Sequence, residues 1–382
     1  MRPKFKPILK PLMRNGDFLR VGMETNVYDL EDPDGQIERF LSSLDGTLTI
    51  DDIAAASGLS GEEVQGALET FNELGFLDDA AAPVGNLTER DLDRYRANLT
   101  YFTNYSTLEQ SKLEYQQRLK DSTVAVLGLG GASLMAAGLA GLGVGKIIGL
   151  DCDRVELSNL NRQYIYREDD IGKLKTDAVA EHLRRLNRDL EVVTYNQKVT
   201  TAESLLDVIA DADLVINGID TPTMIASRWV NSACVHLEKP MLLGGVTNNR
   251  LLWQRFLPHS HGCYDCFLIH CLRLDPDAAM QLRALYGQVF ESRNTAMSPH
   301  VALLSGFITS EVAKHLAGYA EPMLPSTTME MDLVTMAMKQ SDPFTRLENC
   351  PTCGAGKHER AGIEPVELEE LIQVSQAEAL QA

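Results

Sequence analysis

Residues 123–153 read TVAVLGLGGASLMAAGLAGLGVGKIIGLDCD, and this stretch decides the fold. Thr123–Leu127 is a short run of strand formers, and Gly128, Gly130 and Gly131 follow at once. Small and apolar residues continue to Leu142, and Lys146–Leu150 is a second apolar strand that ends at Asp151-Cys152-Asp153. Strand, glycine turn, helix, strand, acid is the order of a mononucleotide-binding unit. The glycines let the backbone approach a phosphate, and the helix N-terminus supplies its positive dipole end. Asp153 stands where a strand-end carboxylate accepts hydrogen bonds from ribose hydroxyls. Ser133 occupies the place of the third glycine in a dehydrogenase fingerprint, which counts against NAD. Ser122 to Gly145 is 24 residues without a charge, but seven are glycine. The stretch therefore reads as a buried strand and helix and not as a membrane span.

Downstream, Ser158-Asn159-Leu160-Asn161-Arg162-Gln163 leads to Asp169-Asp170-Ile171-Gly172-Lys173-Leu174-Lys175. Arg154, Arg162, Arg167, Lys173 and Lys175 fall within 22 residues, in a chain whose net charge is −19. Arginine offers phosphate a bidentate fork and lysine a compact point charge. Any one of the five alone reads as a solvated surface charge; following a phosphate-binding turn, they read as a local reversal of an acidic field. Asp213–Gly218 is a further strand, and Asp220 follows it at the carboxyl edge of the sheet. A carboxylate facing phosphates suits magnesium, which prefers oxygen ligands; a helix cap is the rival role for Asp220.

Hydrophobic residues make up 44% and charged residues 23%, an ordinary globular balance. The acidity argues against nucleic acid and against anionic membranes as partners. Seven cysteines in 382 residues, with a proline-interrupted start and no apolar leader, predict a reducing, cytoplasmic setting.

Residues 1–82 form a first unit. Residues 5–30 alternate loosely and predict a short strand or hairpin; Gln36–Leu44, Asp51–Ser57 and a segment from Ser60 predict three short helices. Thr49 with Asp52 and Ser60 with Glu63 have capping spacing, and Val64, Leu68, Phe71 and Leu74 form the last helix's stripe. Gly75-Phe76-Leu77 returns as a strand. The outline is winged-helix-like, for which DNA is the usual partner. Acidic residues here outnumber basic ones more than two to one, so a peptide taken onto a sheet edge is the easier partner. A structural or dimerisation appendage is the plainer alternative. Residues 83–118 read as a linker and helix whose Tyr95, Tyr101, Phe102 and Tyr105 pack on the next domain.

Cys263-Tyr-Asp-Cys266 and Cys350-Pro-Thr-Cys353 lie with 83 residues between them. Two such pairs close one tetrahedral thiolate site, which fits structural zinc. A redox role is the rival, but neither pair reads as the start of a helix after a thioredoxin-like strand. Cys152 and Cys234 read as buried and Cys271 as a loop or helix thiol; none has a partner base for a thioester step. His259, His261 and His270 stay unassigned, since four thiolates complete the shell. Residues 271–300 and 321–349 read as a polar lid or crossover, and Val301–Leu316 and Val366–Ala379 as helices.

The run GLGG…GVGKIIGLDCDRVELSNLNRQYIYREDDIGKLK, then VINGID, resembles the ThiF/MoeB/HesA superfamily, relatives of ubiquitin-activating enzymes. The resemblance covers residues 90–270 and implies adenylation of a carboxylate with ATP and magnesium, commonly by a homodimer. It assigns the ribose to Asp153, the phosphates to Asn159 and Arg162, the α-phosphate to Lys175 and the metal to Asp220. Gly128, Gly130, Gly131 and Gln163 complete the nucleotide set, and the paired CxxC arrangement also occurs in that family. Members often carry Arg-Tyr-x-Arg at the start of the domain, the second arginine reaching the partner subunit's ATP. This chain has Arg94-Tyr95-Arg96-Ala97, so Ala97 stands at that position and Arg96 one residue before it.

Residues 1–82, through LSSLDGTLTIDDIAAASGLS and EEVQGALETFNELGFLDD, resemble PqqD-like leader-peptide recognition domains. The combination resembles the microcin C adenylyltransferase group, whose front domain holds a ribosomally made precursor peptide. The expected fold class is therefore α/β: a Rossmann-like, mostly parallel sheet adenylation domain with an N-terminal winged-helix-like α+β domain. The expected divisions are 1–82, 83–118, 119–355 with ATP, zinc and crossover segments, and a C-terminal helix over 356–382. The partner is a precursor peptide or a small carrier protein. Side-chain activation or cyclodehydration of a peptide is a further alternative, as is a non-catalytic peptide-presenting protein.

Overall fold

The computed structural model describes residues 1–23, 26–275, 277–287, 295–354 and 362–379. The expected boundary between 355 and 356 lies outside the described residues. The chain divides into two compact units, residues 1–119 with 317–321, and residues 120–316 with 322–382. No helix among the described residues is long and apolar enough to cross a membrane.

In the first unit, β1 (Pro3–Phe5) pairs antiparallel with β5 (Leu77–Asp79). The expected hairpin is a three-stranded antiparallel meander of β2 (Leu12–Asn15), β3 (Phe18–Val21) and β4 (Tyr28–Glu31). Helices Gln36–Ser43, Ile50–Ser57 and Gly61–Glu73 lie between β4 and β5 in the chain. Thr49 with Asp52 and Ser60 with Glu63 form reciprocal capping boxes, satisfying amide N–H groups that a helix start otherwise leaves open. Phe5, Leu41, Ile53, Val64, Leu68 and Phe76 are buried in one core. Leu74, expected in the stripe, is exposed, because it is the C-cap of its helix and not part of its buried face.

Residues 83–118 group with this first unit. Rings of Tyr101, Phe102 and Tyr105 meet Tyr319, and Phe102 also meets Tyr115, all inside it. Three of the four aromatics expected to pack on the next domain thus find ring partners within the first unit, to which residues 317–321 return.

The second unit is built on an eight-stranded sheet. β6 (Thr123–Leu127), β7 (Lys146–Asp151), β8 (Glu191–Asn196), β9 (Leu214–Asn217) and β10 (Met241–Thr247) are mutually parallel, in the order β10-β9-β6-β7-β8. The buried apolar runs of β6, β7 and β9 suit strands covered on both faces. β11 (Arg250–Phe256), β12 (Thr328–Asp332) and β13 (Met338–Gln340) extend the β10 edge antiparallel. Part of the expected lid, 321–349, is therefore sheet. Of the other part, helices Tyr264–Leu274 and Ala278–Gly287 are described. Helices Ser298–Ala317 and Leu368–Ala379 lie where the apolar runs predict them.

The sheet order reverses between β6 and β9. The chain runs outward from β6 through β7 to β8, then returns to the other side of β6. Ligands bind at such a reversal, beyond the carboxyl ends of the strands. The turn after β6 and the segment after β9 both end there.

Candidate nucleotide site and cysteine cluster

Gly128 follows β6 with φ +84°, and a Cβ there would lie 2.6 Å from the Gly218 carbonyl oxygen. Only glycine combines that backbone with so close an approach. Gly218 N–H donates to the Leu127 carbonyl at 2.7 Å, so the turn and the segment leading to Asp220 are bonded to each other. The β7 terminus holds the turn from the other side. Asp151 accepts from Leu129 N–H at 2.6 Å and from Asp153 N–H at 2.8 Å.

The turn's amides are arranged for an anion. Gly130 and Gly131 N–H donate to no acceptor among the described residues, and helix Ser133–Leu142 begins immediately afterwards. Gln163 is only 5% exposed, and its Oε1 has no hydrogen-bond partner among the described residues. A Cβ on Gly130 would come 3.3 Å from Gln163 Nε2, so the absent side chain leaves a cradle under that amide. Open N–H groups and a missing Cβ beside the Gln163 amide nitrogen, a donor, fit a bound polyphosphate.

Lys175 starts helix Lys175–Leu186 and is 7% exposed at its side chain, with Nζ 2.8 Å from Asp153 Oδ2. Its backbone N–H donates to Asp153 O at 2.9 Å, fixing the two residues together. Asn159 is buried and its Oδ1 accepts from Glu156 N–H at 3.1 Å, which shapes the loop. Arg162 is half-buried and donates to Ser158 O at 3.0 Å and to Asn161 Oδ1 at 2.9 Å. Asp220 is exposed and, among the described residues, accepts only from the Thr221 hydroxyl, at 3.2 Å. Asn217, bonded to Ile219 N–H at 3.1 Å and to the Ser227 hydroxyl at 3.2 Å, braces the turn that carries it.

Two more of the five cations are engaged locally. Lys173 pairs with Asp170 at 2.8 Å and Glu181 at 3.4 Å, and Arg154 donates to Gly172 O at 2.7 Å. Asp170 is a hub that charge patterning alone does not reveal. Burial opposes its ionisation, but hydrogen bonds from Lys173, His182 and Arg167 N–H hold the carboxyl well below the usual range. Tyr166 is the other residue that sequence reading passed over. It is buried, and its hydroxyl donates to Leu129 O at 2.5 Å. Burial, with Asp151 nearby, pushes that phenol far above its ordinary value, so it remains a donor. Only its place just beyond the SNLNRQ run signals it.

The four paired cysteines converge. Cys263, Cys266, Cys350 and Cys353 are buried, with sulfurs within 4.8 Å of one another. Cys263 Sγ lies 3.8 Å from Cys350 Sγ, and Cys266 Sγ 3.5 Å from Cys353 Sγ. Tetrahedral zinc with Zn–S of about 2.3 Å sets sulfurs about 3.8 Å apart, so the donor set fits zinc. Burial drives the Cys263 thiol up, so a cation must offset the charge if the cluster is to ionise. The first pair does begin a helix: Cys263 is the N-cap of Tyr264–Leu274, contrary to expectation. The preceding strand, β11, is antiparallel to both its neighbours, and each sulfur finds its neighbour across the two pairs.

Cys152 is exposed, also contrary to expectation, because it stands one residue past β7. Burial of its sulfur and the adjacent Asp153 and Asp151 raise its thiol pKa, while burial pushes Cys271 up to about 11. Neither is an activated thiolate. Arg96 is exposed and pairs with Asp93 on the preceding turn.

The sequence profile of the ThiF family matches residues 101–352. The ThiS sulfur-carrier adenylyltransferase of Escherichia coli K12 is 29% identical over 271 residues, 70% of this chain and 97% of that protein. The adenylyltransferase and sulfurtransferase MOCS3 of Aedes aegypti is 33% identical over 187 residues, 48% of this chain and 40% of that protein. Structures of E. coli MccB with ATP, and with AMPCPP and MccA, each superpose with TM-score 0.73 at 21% identity. They cover 93% of this chain and 100% of that chain, a likeness of fold.

Proposed function

The chain belongs to the ThiF family, and from that premise we propose that it adenylates a carboxylate of a ribosomally made precursor peptide, consuming ATP and releasing pyrophosphate. The observation that carries this reading is the glycine turn with open amides at the sheet's reversal, flanked by Asp153, Lys175 and Asp220. The substrate carboxylate attacks the α-phosphorus in line; a P–O bond to the carboxylate forms as the bond to pyrophosphate breaks. A carboxylate is already a nucleophile, so no side-chain base is needed, and catalysis consists of alignment and charge neutralisation. Asp153 takes the ribose, Asn159, Arg162 and Gln163 line the phosphates, and Lys175 passes from Asp153 to the α-phosphate. Asp220 would hold magnesium, which supplies neutralisation of the departing phosphates when bound. The four cysteines would hold zinc, which pins residues 350–353 to helix Tyr264–Leu274. A homodimer belongs to the same proposal.

A peptide substrate is supported by the first unit, which has its own core and an acidic composition. MccB has been solved with MccA, and the fold likeness spans 93% of this chain. The second reading is activation of a small carrier protein, favoured by the match along 97% of the ThiS adenylyltransferase.

ATP–pyrophosphate exchange distinguishes them. With magnesium and a candidate peptide, exchange is expected, and Lys175→Ala or Asp220→Ala should lower it about 100-fold or more. Undiminished exchange in both variants would refute the site. Exchange with a Gly-Gly-ended carrier and none with any peptide would establish the second reading.

A further inference from the structure

The amides of the glycine turn face outward for a reason that lies in two side chains outside it. In a planar trans peptide the carbonyl of one residue and the N–H of the next point in opposite directions. Whatever holds the Leu129 carbonyl therefore aims the Gly130 N–H, and whatever holds the Gly130 carbonyl aims the Gly131 N–H. Tyr166 Oη donates to Leu129 O at 2.5 Å from a ring that is 4% exposed. Fully buried Ser133 donates twice to Gly130 O, from Oγ at 2.6 Å and from its N–H at 3.2 Å. Asp151 Oδ2 fixes the Leu129 N–H at 2.6 Å, so the peptide units on both sides of Leu129 are anchored. The buried Gln163 brings its amide nitrogen, a donor, to the space left at Gly130.

We propose that Tyr166 and Ser133 are positioning residues that turn two consecutive peptide units so that the Gly130 and Gly131 N–H groups meet the nucleotide's phosphates. Ser133 then replaces the third glycine of a dinucleotide fingerprint with a hydroxyl that orients the turn from within. The inference rests on the reading of this site as an ATP site. It makes these two residues selective for phosphate and indifferent to the nucleoside.

The test is calorimetric titration of the full-length protein with ATP and, separately, with adenosine. Tyr166→Phe removes one hydroxyl and keeps the ring, so it should raise the Kd for ATP about five- to tenfold, the loss of one buried hydrogen bond. The Kd for adenosine should stay within about twofold of wild type. Ser133→Ala should behave alike, and it serves if Tyr166→Phe fails to fold. Equal ATP affinity in both variants and wild type would overturn the proposal, as would a parallel loss of ATP and adenosine, which marks a merely structural role. Failure of the wild-type protein to bind ATP would instead overturn the nucleotide reading itself.

Discussion

At the scale of single residues, the most unusual charge lies outside the nucleotide site. Lys6 is 1% exposed and donates from Nζ to Ser106 O at 2.6 Å. Burial lowers its pKa from 10.5 to about 8; Asp78 opposes the shift and Lys112 adds to it. Below about pH 8 the folded and unfolded chains both carry the proton, and the folded chain bears the cost of a buried ammonium. Between about 8 and 10.5 the unfolded chain binds more protons, so the Lys6 contribution to stability rises with pH across that window. From pH 7.5 to 9.5 the gain should be about 2 kcal/mol in urea unfolding. Lys6→Met should abolish this rising limb, and an identical limb in that variant would show that it originates elsewhere.

At the scale of elements, the cysteine segments are joined by more than sulfur. Asp265, between Cys263 and Cys266, receives two hydrogen bonds from Arg228 of helix Ile225–His236, at 2.9 and 3.1 Å. It also accepts from the Thr352 hydroxyl, between Cys350 and Cys353, at 2.5 Å. Arg228 and Asp265 are both 0% exposed. Asp265→Leu strands a buried guanidinium and should cost about 3–5 kcal/mol, read by urea unfolding, and the zinc proposed for the four cysteines should pass faster to a chelator. Arg228→Met with Asp265→Leu should recover most of that stability, since neither charge is then left alone; no recovery would show that the pair does more than satisfy itself. This tie was not legible in the sequence, whereas the CxxC spacing was. Two cysteines three apart state a chelating geometry locally, but a lone Asp in a helix reads as solvated surface until its partner is seen. The same divide explains the sheet. β6 and β7 announce themselves as buried apolar runs before glycine and acid, whereas β12 and β13 are short and partly or wholly exposed, and gain strand character from pairing with β11 and with each other.

At the scale of the whole molecule, the net charge of −19 was legible at once, but not how it is distributed in space. Within the candidate nucleotide site Lys175 is paired with Asp153 and Lys173 with Asp170, so the positive cluster expected over Arg154–Lys175 is partly neutralised from within. In the first unit the arginines of the meander are likewise engaged, Arg14 with Asp32 and Glu38, and Arg20 with Asp29. Glu62, Glu69 and Glu73 on helix Gly61–Glu73 stay exposed. The unit therefore presents surplus negative charge to any segment that docks on it, and long-range attraction between exposed charges is screened by salt. A precursor peptide carrying a basic recognition segment should lose affinity as salt is added, its Kd rising about tenfold between 50 and 500 mM NaCl. An acidic carrier protein should show the opposite slope, because salt then relieves repulsion. Fluorescence anisotropy with a labelled peptide reads this directly. Affinity that stays flat or strengthens with salt for a basic peptide would show that the acidic face solvates the unit and takes no part in choosing its partner.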